Sequence, residues 1–259
     1  MSRIEFQISA KHRPLLEALG FATFEDLMFK NCGELLSSEQ RSQTFRLELP
    51  SPNASVVCFL KRTLLHRSRK NLQALLQFNR PHTDVYREMQ MAQKLENSGV
   101  PVMRILGWGE ERNFGLPVRG FILTEGVTGE PLHEMFRAGD AEICHRIAAA
   151  FGSFIARLHI LGFFQIVRLK DLICSAPANS ASRDLSLTLI DRAASNIGKK
   201  FFWSRFCLQS LRRGFRRMKR DGIVFDSELE KTFCTAYAEG VAGKWKIAPQ
   251  NLQAKLRLK

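Results

Sequence analysis

Apolar residues recur at three- and four-residue steps across residues 140–161, at Ile143, Ile147, Ala150, Phe154, Leu158 and Leu161, and Gly162 ends the run. This period sets them on one stripe of a long helix, which must be buried against partners. Partners follow in the chain. From Phe201 onward it again reads as helical and amphipathic, with Leu208, Leu211, Phe215 and Met218 on one face. The pattern before residue 140 is different. Residues 45–49 and 56–61 alternate or run apolar around Ser51-Pro52-Asn53 and predict a β-hairpin. Residues 102–108 and 120–124 predict two more strands, with Gly115-Leu116-Pro117 as their turn. A short helix is expected over residues 14–19, stopped by Gly20, and turn signals follow at Asn31-Cys32-Gly33. A second helix is expected over residues 84–98, capped by Thr83 or Asp84 and stopped by Gly99 and Pro101, with Val85, Met89, Ala92 and Leu95 as its stripe.

Strands with one intervening helix, then mostly helices, predict an α+β chain. A small β-rich lobe would occupy residues 1–125 and a mainly α-helical lobe residues 126–259. A chain of 259 residues is long enough for such a core. No apolar run approaches the roughly 18 residues of a membrane span. The start lacks the apolar core of a secretory signal. A cytoplasmic protein, peripheral at the inner membrane if it touches one, is the expectation. Cys32, Cys58, Cys144, Cys174, Cys207 and Cys234 are scattered without a C-x-x-C pair, which argues for reduced, buried thiols over a zinc site.

The net charge of +14 is concentrated. Lys199, Lys200, Arg205, Arg212, Arg213, Arg216, Arg217, Lys219 and Arg220 fall within residues 198–220, with no acidic residue among them. Such a segment attracts phosphates on lipid, sugar or nucleic acid, and is otherwise a solvated helix face. Its aromatics Phe201, Phe202, Trp203 and Phe206 cluster at one end and read as core, so nucleic acid is disfavoured as a partner.

The glycine turn after Leu158-His159 leads through a polar insert (residues 175–183) to an apolar strand over residues 185–190 that delivers Asp191. Helix, tight turn and strand-end carboxylate form the layout of a phosphotransfer catalytic loop with its metal-binding segment. Phosphoryl transfer needs a cation on the nucleotide phosphates, a residue holding that cation, carboxylates for magnesium and a group near the acceptor hydroxyl. Lys61 ends a strand and Glu88 follows on the next helix, so the two can pair; separately each is an ordinary surface charge. Asp191 suits magnesium, or caps the segment after it. His159 reads as a brace for the loop.

These pieces together resemble the lipopolysaccharide kinase family, whose members phosphorylate heptose or Kdo sugars of the lipid A core. Matching segments are Arg41-Ser42-Gln43-Thr44, Phe59-Leu60-Lys61-Arg62, Arg87-Glu88 with Gly99-Val100-Pro101, Leu123-Thr124-Glu125, Leu158-His159-x-x-Gly162-Phe163 and Leu189-Ile190-Asp191-Arg192-Ala193. The resemblance implies a protein-kinase-like two-lobed fold using ATP and Mg2+. Lys61 would touch the nucleotide phosphates and Glu88 would hold it. Arg41 and Thr44 would cover the phosphates, Thr124 and Glu125 would lie at the adenine hinge, and Asp191 would bind magnesium. A lipid-linked sugar acceptor or an anionic membrane surface would meet residues 199–220. The departure lies in the loop. Gln165-Ile166-Val167 stand where the family carries His-Arg-Asp, and Val167 cannot accept a proton. Asp171 falls at the second metal ligand and is the one nearby carboxylate able to compensate. Phosphotransfer is expected to be impaired or lost, leaving a pseudokinase-like protein. The alternative is a non-catalytic basic protein that binds an anionic membrane surface or lipopolysaccharide.

Overall fold

The computed structural model describes residues 2–50, 55–65, 68–76, 78–175, 185–190 and 204–256, with backbone alone at 68–70 and 73. The chain forms two compact units, Met1–Asn97 with Val102–Gly126, and Ser98–Pro101 with Val127–Lys259.

The first unit is built on a six-stranded antiparallel sheet. Its strands are β1 (Ser2–Ile8), β2 (Glu34–Glu39), β3 (Ser42–Leu49), β4 (Val56–Thr63), β5 (Ile105–Asn113) and β6 (Leu116–Glu125), in the order β1-β5-β6-β4-β3-β2. The expected hairpin is β3 with β4, paired from Ser42 opposite Thr63 to Leu49 opposite Val56. Strand alternation sends Phe45, Leu47, Leu49, Cys58 and Leu60 to one face. There they meet α1 (Arg13–Ala18) and α2 (Phe24–Phe29) through Leu16, Phe24, Leu27 and Met28. Each such side chain contributes roughly 1.5–3 kcal/mol on full burial. Thr23 starts α2 with a capping box, its hydroxyl accepting from the Asp26 amide at 3.1 Å while Asp26 accepts from the Thr23 amide at 2.9 Å. After α3 (Ser68–Leu76), α4 (Asp84–Asn97) covers the opposite face, with Val85 and Met89 packed on Ile122. At one edge β2 is exposed along its whole length, and a register shift between Leu35 and Ser37 leaves Leu36 as a bulge.

The boundaries differ most from the sequence reading at β5 and β6. The strand expected to end at Trp108 runs on to Asn113, and the turn sits at Phe114 and Gly115, with Leu116 and Pro117 already in β6. The extension is possible because its charges are satisfied. Buried Glu110 accepts from the Thr83 amide at 2.7 Å and the Thr83 hydroxyl at 3.0 Å, and pairs with His82 and Arg112. Arg112 also donates to the Gly115 carbonyl at 2.5 Å.

The second unit carries a small sheet, β7 (Glu130–Pro131), β8 (Leu172–Cys174) and β9 (Leu187–Leu189), in the order β7-β8-β9. Its helices are α5 (Leu132–Ala138), α6 (Ala141–Ile160), α7 (Ser204–Arg220), α8 (Ser227–Val241) and α9 (Pro249–Leu256). The long periodic segment is α6, capped by Asp140, which accepts from the Ile143 amide at 2.9 Å. Two glycines let α6 and α8 approach closely. A Cβ at Gly152 would lie 2.5 Å from the Phe233 carbonyl oxygen, and one at Gly240 would lie 2.5 Å from the Ala156 Cβ. Phe215 of α7 joins this core, stacking edge-on against Phe225 and Phe233. Among the described residues no helix is long and apolar enough to cross a membrane. All six cysteines are free, and five of them are buried.

Candidate functional site

In the first unit β4 presents two adjacent cations to opposite faces. Lys61 points to the α4 side and its Nζ donates to Glu88 Oε2 at 2.9 Å. The Glu88 side chain is 3% exposed and that of Lys61 31%, so the carboxylate is withdrawn from water while the ammonium keeps access to it. This suits a lysine that must be held and still reach an anion. Arg62 faces the core and donates to the Leu27 carbonyl at 2.6 Å and the Lys30 carbonyl at 2.7 Å, with its guanidinium 4.5 Å from the centre of the Phe45 ring. Arg62 ties α2 and the chain after it to the sheet. The sequence reading quoted it beside Lys61 and missed this separate job.

Other residues singled out from the sequence lie on the same sheet or in its turns. Thr44 is its direct partner across the β3–β4 ladder. Arg41 sits in the β2–β3 turn, where its carbonyl accepts from the Leu64 amide at 2.8 Å. Thr124 is buried on β6 opposite Phe59, and its hydroxyl lies 3.4 Å from the Phe59 carbonyl. Glu125 ends that strand and pairs with Arg104 at 3.6 Å.

In the second unit Gly162 ends α6 with φ +83°, and its amide donates to the His159 carbonyl at 3.0 Å. His159 is fully enclosed. Its Nδ1 lies 2.7 Å from the Tyr237 hydroxyl, its ring packs on Phe164, and burial lowers its pKa to about 3. It is a neutral, packed residue at all ordinary pH. The segment after it is gripped by α7. The Ser210 hydroxyl donates to the Gln165 carbonyl at 2.7 Å, and Gly214 lies against the Val167 carbonyl, where a Cβ would come within 3.3 Å. Val167 turns inward and shares a small apolar cavity with Phe151, Ile155, Met218 and Phe233. Ile166 turns outward onto a concavity of about 540 Å³ lined by Arg213, Arg216, Arg217 and Arg220. The side-chain amide of Gln165 has no hydrogen-bond partner among the described residues.

Asp171 is 5% exposed at the side chain and is clasped by Arg168, from the backbone amide at 2.8 Å, Nε at 3.2 Å and Nη2 at 3.0 Å. Arg168 and Lys170 also reach Asp221, at 3.2 and 3.1 Å. Burial alone would raise the Asp221 pKa, but the bonds from Lys170 and Arg168 outweigh it and hold the carboxyl below its usual range. Among the described residues no cluster of three potential metal ligands forms. Asp191, Lys199 and Lys200 lie outside the described residues, as do Phe201, Phe202 and Trp203.

Residues 35–173 match the phosphotransferase enzyme family (APH). A solved structure described as WaaP in complex with acyl carrier protein superposes with a TM-score of 0.58 at 16% identity, covering 98% of this chain and 100% of that one. The bifunctional kinase-methyltransferase WbdD aligns with a TM-score of 0.42 at 15% identity, over 78% of this chain and 41% of that one. No curated protein sequence matches. The WaaP likeness supports a mixed α+β, kinase-like fold with an N-terminal antiparallel sheet and a helical C-terminal region.

Proposed function

The chain belongs to the phosphotransferase enzyme family, and from that premise we propose that it is a kinase-like protein of the lipopolysaccharide kinase type, with ATP and Mg2+ as donor and a lipid-linked sugar hydroxyl as acceptor. The observation that carries the reading is the Lys61–Glu88 pair at 2.9 Å. Lys61 contacts the nucleotide phosphates and Glu88 holds its ammonium. Arg41 and Thr44 lie over the phosphates, and Thr124 and Glu125 take the adenine side. Magnesium, when bound, neutralises charge developing on the phosphates. Asp191 is assigned to it, with Asp171 as the candidate second ligand. Asp171 fits that task poorly, because Arg168 already bonds both of its oxygens.

Phosphotransfer is proposed to be weak or absent. No carboxylate occupies positions 165–167, and losing a positioned general base costs about 10²–10⁴-fold. Asp171 substitutes for that base only if the loop rearranges, since its carboxylate is engaged by Arg168. The second reading is a non-enzymatic protein that adsorbs to anionic membrane through residues 199–220. It is favoured by α7, a helix whose sequence SRFCLQSLRRGFRRMKR has no acidic residue.

The test is Mg-ATP binding by calorimetry on wild type, Lys61→Ala and Asp191→Asn. Magnesium-dependent binding that weakens in both variants supports the assignment. Unchanged affinity in Lys61→Ala sinks the nucleotide site, and vesicle adsorption without ATP binding favours the second reading.

A further inference from the structure

The arginine-lined concavity beside Ile166 is built in a way a solvated helix face is not. Arg213, Arg216, Arg217 and Arg220 are spaced by three, one and three residues, which puts all four on one side of α7. Like charges at such spacing each destabilise a helix by about 0.2–0.5 kcal/mol. The helix dipole offsets this only in the last turn, at Arg217, Lys219 and Arg220, and leaves Arg213 and Arg216 uncompensated. No carboxylate among the described residues pairs with Arg213 or Arg220, and the neighbouring Asp221 is already taken by Arg168 and Lys170. The cluster is also fixed in place. Ser210 and Gly214 anchor α7 to the backbone of Gln165 and Val167, so the stretch of helix that carries the arginines holds a set position relative to that loop. The surface is concave, about 540 Å³, with Ile166 as an apolar wall. An open hollow of that volume has room for a phosphorylated sugar.

We propose that this concavity is a subsite for a phosphate group already carried by the acceptor, so that the acceptor is a phosphorylated sugar and not a neutral one. The inference rests on the kinase reading above for the word acceptor, but not for the binding itself. Guanidinium forks bind phosphate oxygens in pairs, and Ile166 offers an apolar edge beside them. A sugar held by its phosphate here would lie beside residues 165–167, the segment that stands in place of the catalytic loop.

The experiment is calorimetry with glucose 6-phosphate and with glucose, without nucleotide, on wild type, Arg213→Gln/Arg220→Gln, Arg213→Lys/Arg220→Lys and Lys61→Ala. The sugar phosphate should bind wild type while glucose does not. The glutamine pair should weaken binding about tenfold or more, the lysine pair less, and Lys61→Ala not at all. Equal binding in the glutamine pair, or loss only in Lys61→Ala, overturns the subsite. Adsorption of wild type to phosphatidylglycerol vesicles with no sugar phosphate binding also overturns it and assigns the arginines to a membrane. Absence of Mg-ATP binding to wild type in a separate titration, with sugar phosphate binding intact, defeats the kinase reading and leaves the subsite standing.

Discussion

Lys61 and Glu88 in the first unit, and residues 165–167 in the second, treat buried polarity in opposite ways. Around Lys61 each buried charge has a partner of opposite sign or a carbonyl: Glu88 has Lys61, Glu110 has Arg112 and His82, and Arg62 has two backbone carbonyls. In the second unit residues 165–167 carry no charged side chain. Val167 is 3% exposed within the helical core, and the positive charge lies on the adjoining helix surface. A buried carboxylate is tolerable only with fixed partners. The first unit keeps such partners, whereas Val167 has none.

The sharpest way to break this comparison is Val167→Asp. If the loop had simply lost one residue from an otherwise intact site, the substitution would restore phosphotransfer at little cost. The inward orientation predicts instead an unpaired carboxylate in apolar surroundings and a loss of roughly 4 kcal/mol or more, read by urea denaturation. Arg62→Leu should come next, at about 2–4 kcal/mol, because it leaves the Leu27 and Lys30 carbonyls without their donor. A small effect there would mean water replaces the guanidinium, and the first unit would be less dependent on paired charge than argued. Lys61→Met should cost about 1–3 kcal/mol, since Glu88 keeps its burial and loses its counter-charge, although partial exposure of the lysine softens the effect. Its Mg-ATP affinity should fall well beyond what that stability change explains.

The smallest effect is a slope. His159 has its pKa lowered from 6.5 to about 3 by burial. Between those values the unfolded chain binds a proton that the folded chain refuses. Stability contributed by the neutral ring is therefore full above pH 6.5 and declines as pH falls toward 3. The expected loss is about 1.4 kcal/mol per pH unit from this residue. Thermal melts from pH 7 to pH 5 should show it, and His159→Phe should flatten the slope; an unchanged slope would locate the acid sensitivity elsewhere.

Much of this was legible in the residues. The α6 stripe and the β3–β4 hairpin follow from periodicity and turn chemistry alone. The Lys61–Glu88 pair came from the layout that phosphoryl transfer needs, because no local pattern joins a strand to a helix 27 residues on. Other features were hidden for identifiable reasons. β1 has no clean alternation, being mostly exposed, and its partner β5 ends at Asn113, far along the chain. β5 looked short because Glu110 and Arg112 read as solvent-facing until their pairing is seen. The core role of Arg62 carried no signal, since period two gives the two faces of a strand but not which face is core. The inward turn of Val167 depends on Gly214 and Ser210, residues of a helix whose contact with the loop no spacing rule reveals.

The bulge at Leu36 has a further consequence, for handling the protein in solution. β2 is an open sheet edge carrying exposed Leu35 and Leu36, a combination that invites another chain to add a strand. One extra residue breaks the regular ladder, and Glu34 and Glu39 stand at the two ends. Colloidal stability of the first unit therefore hangs on an irregularity: deleting Leu36 would straighten the edge, and light scattering at high protein concentration should register the resulting self-association.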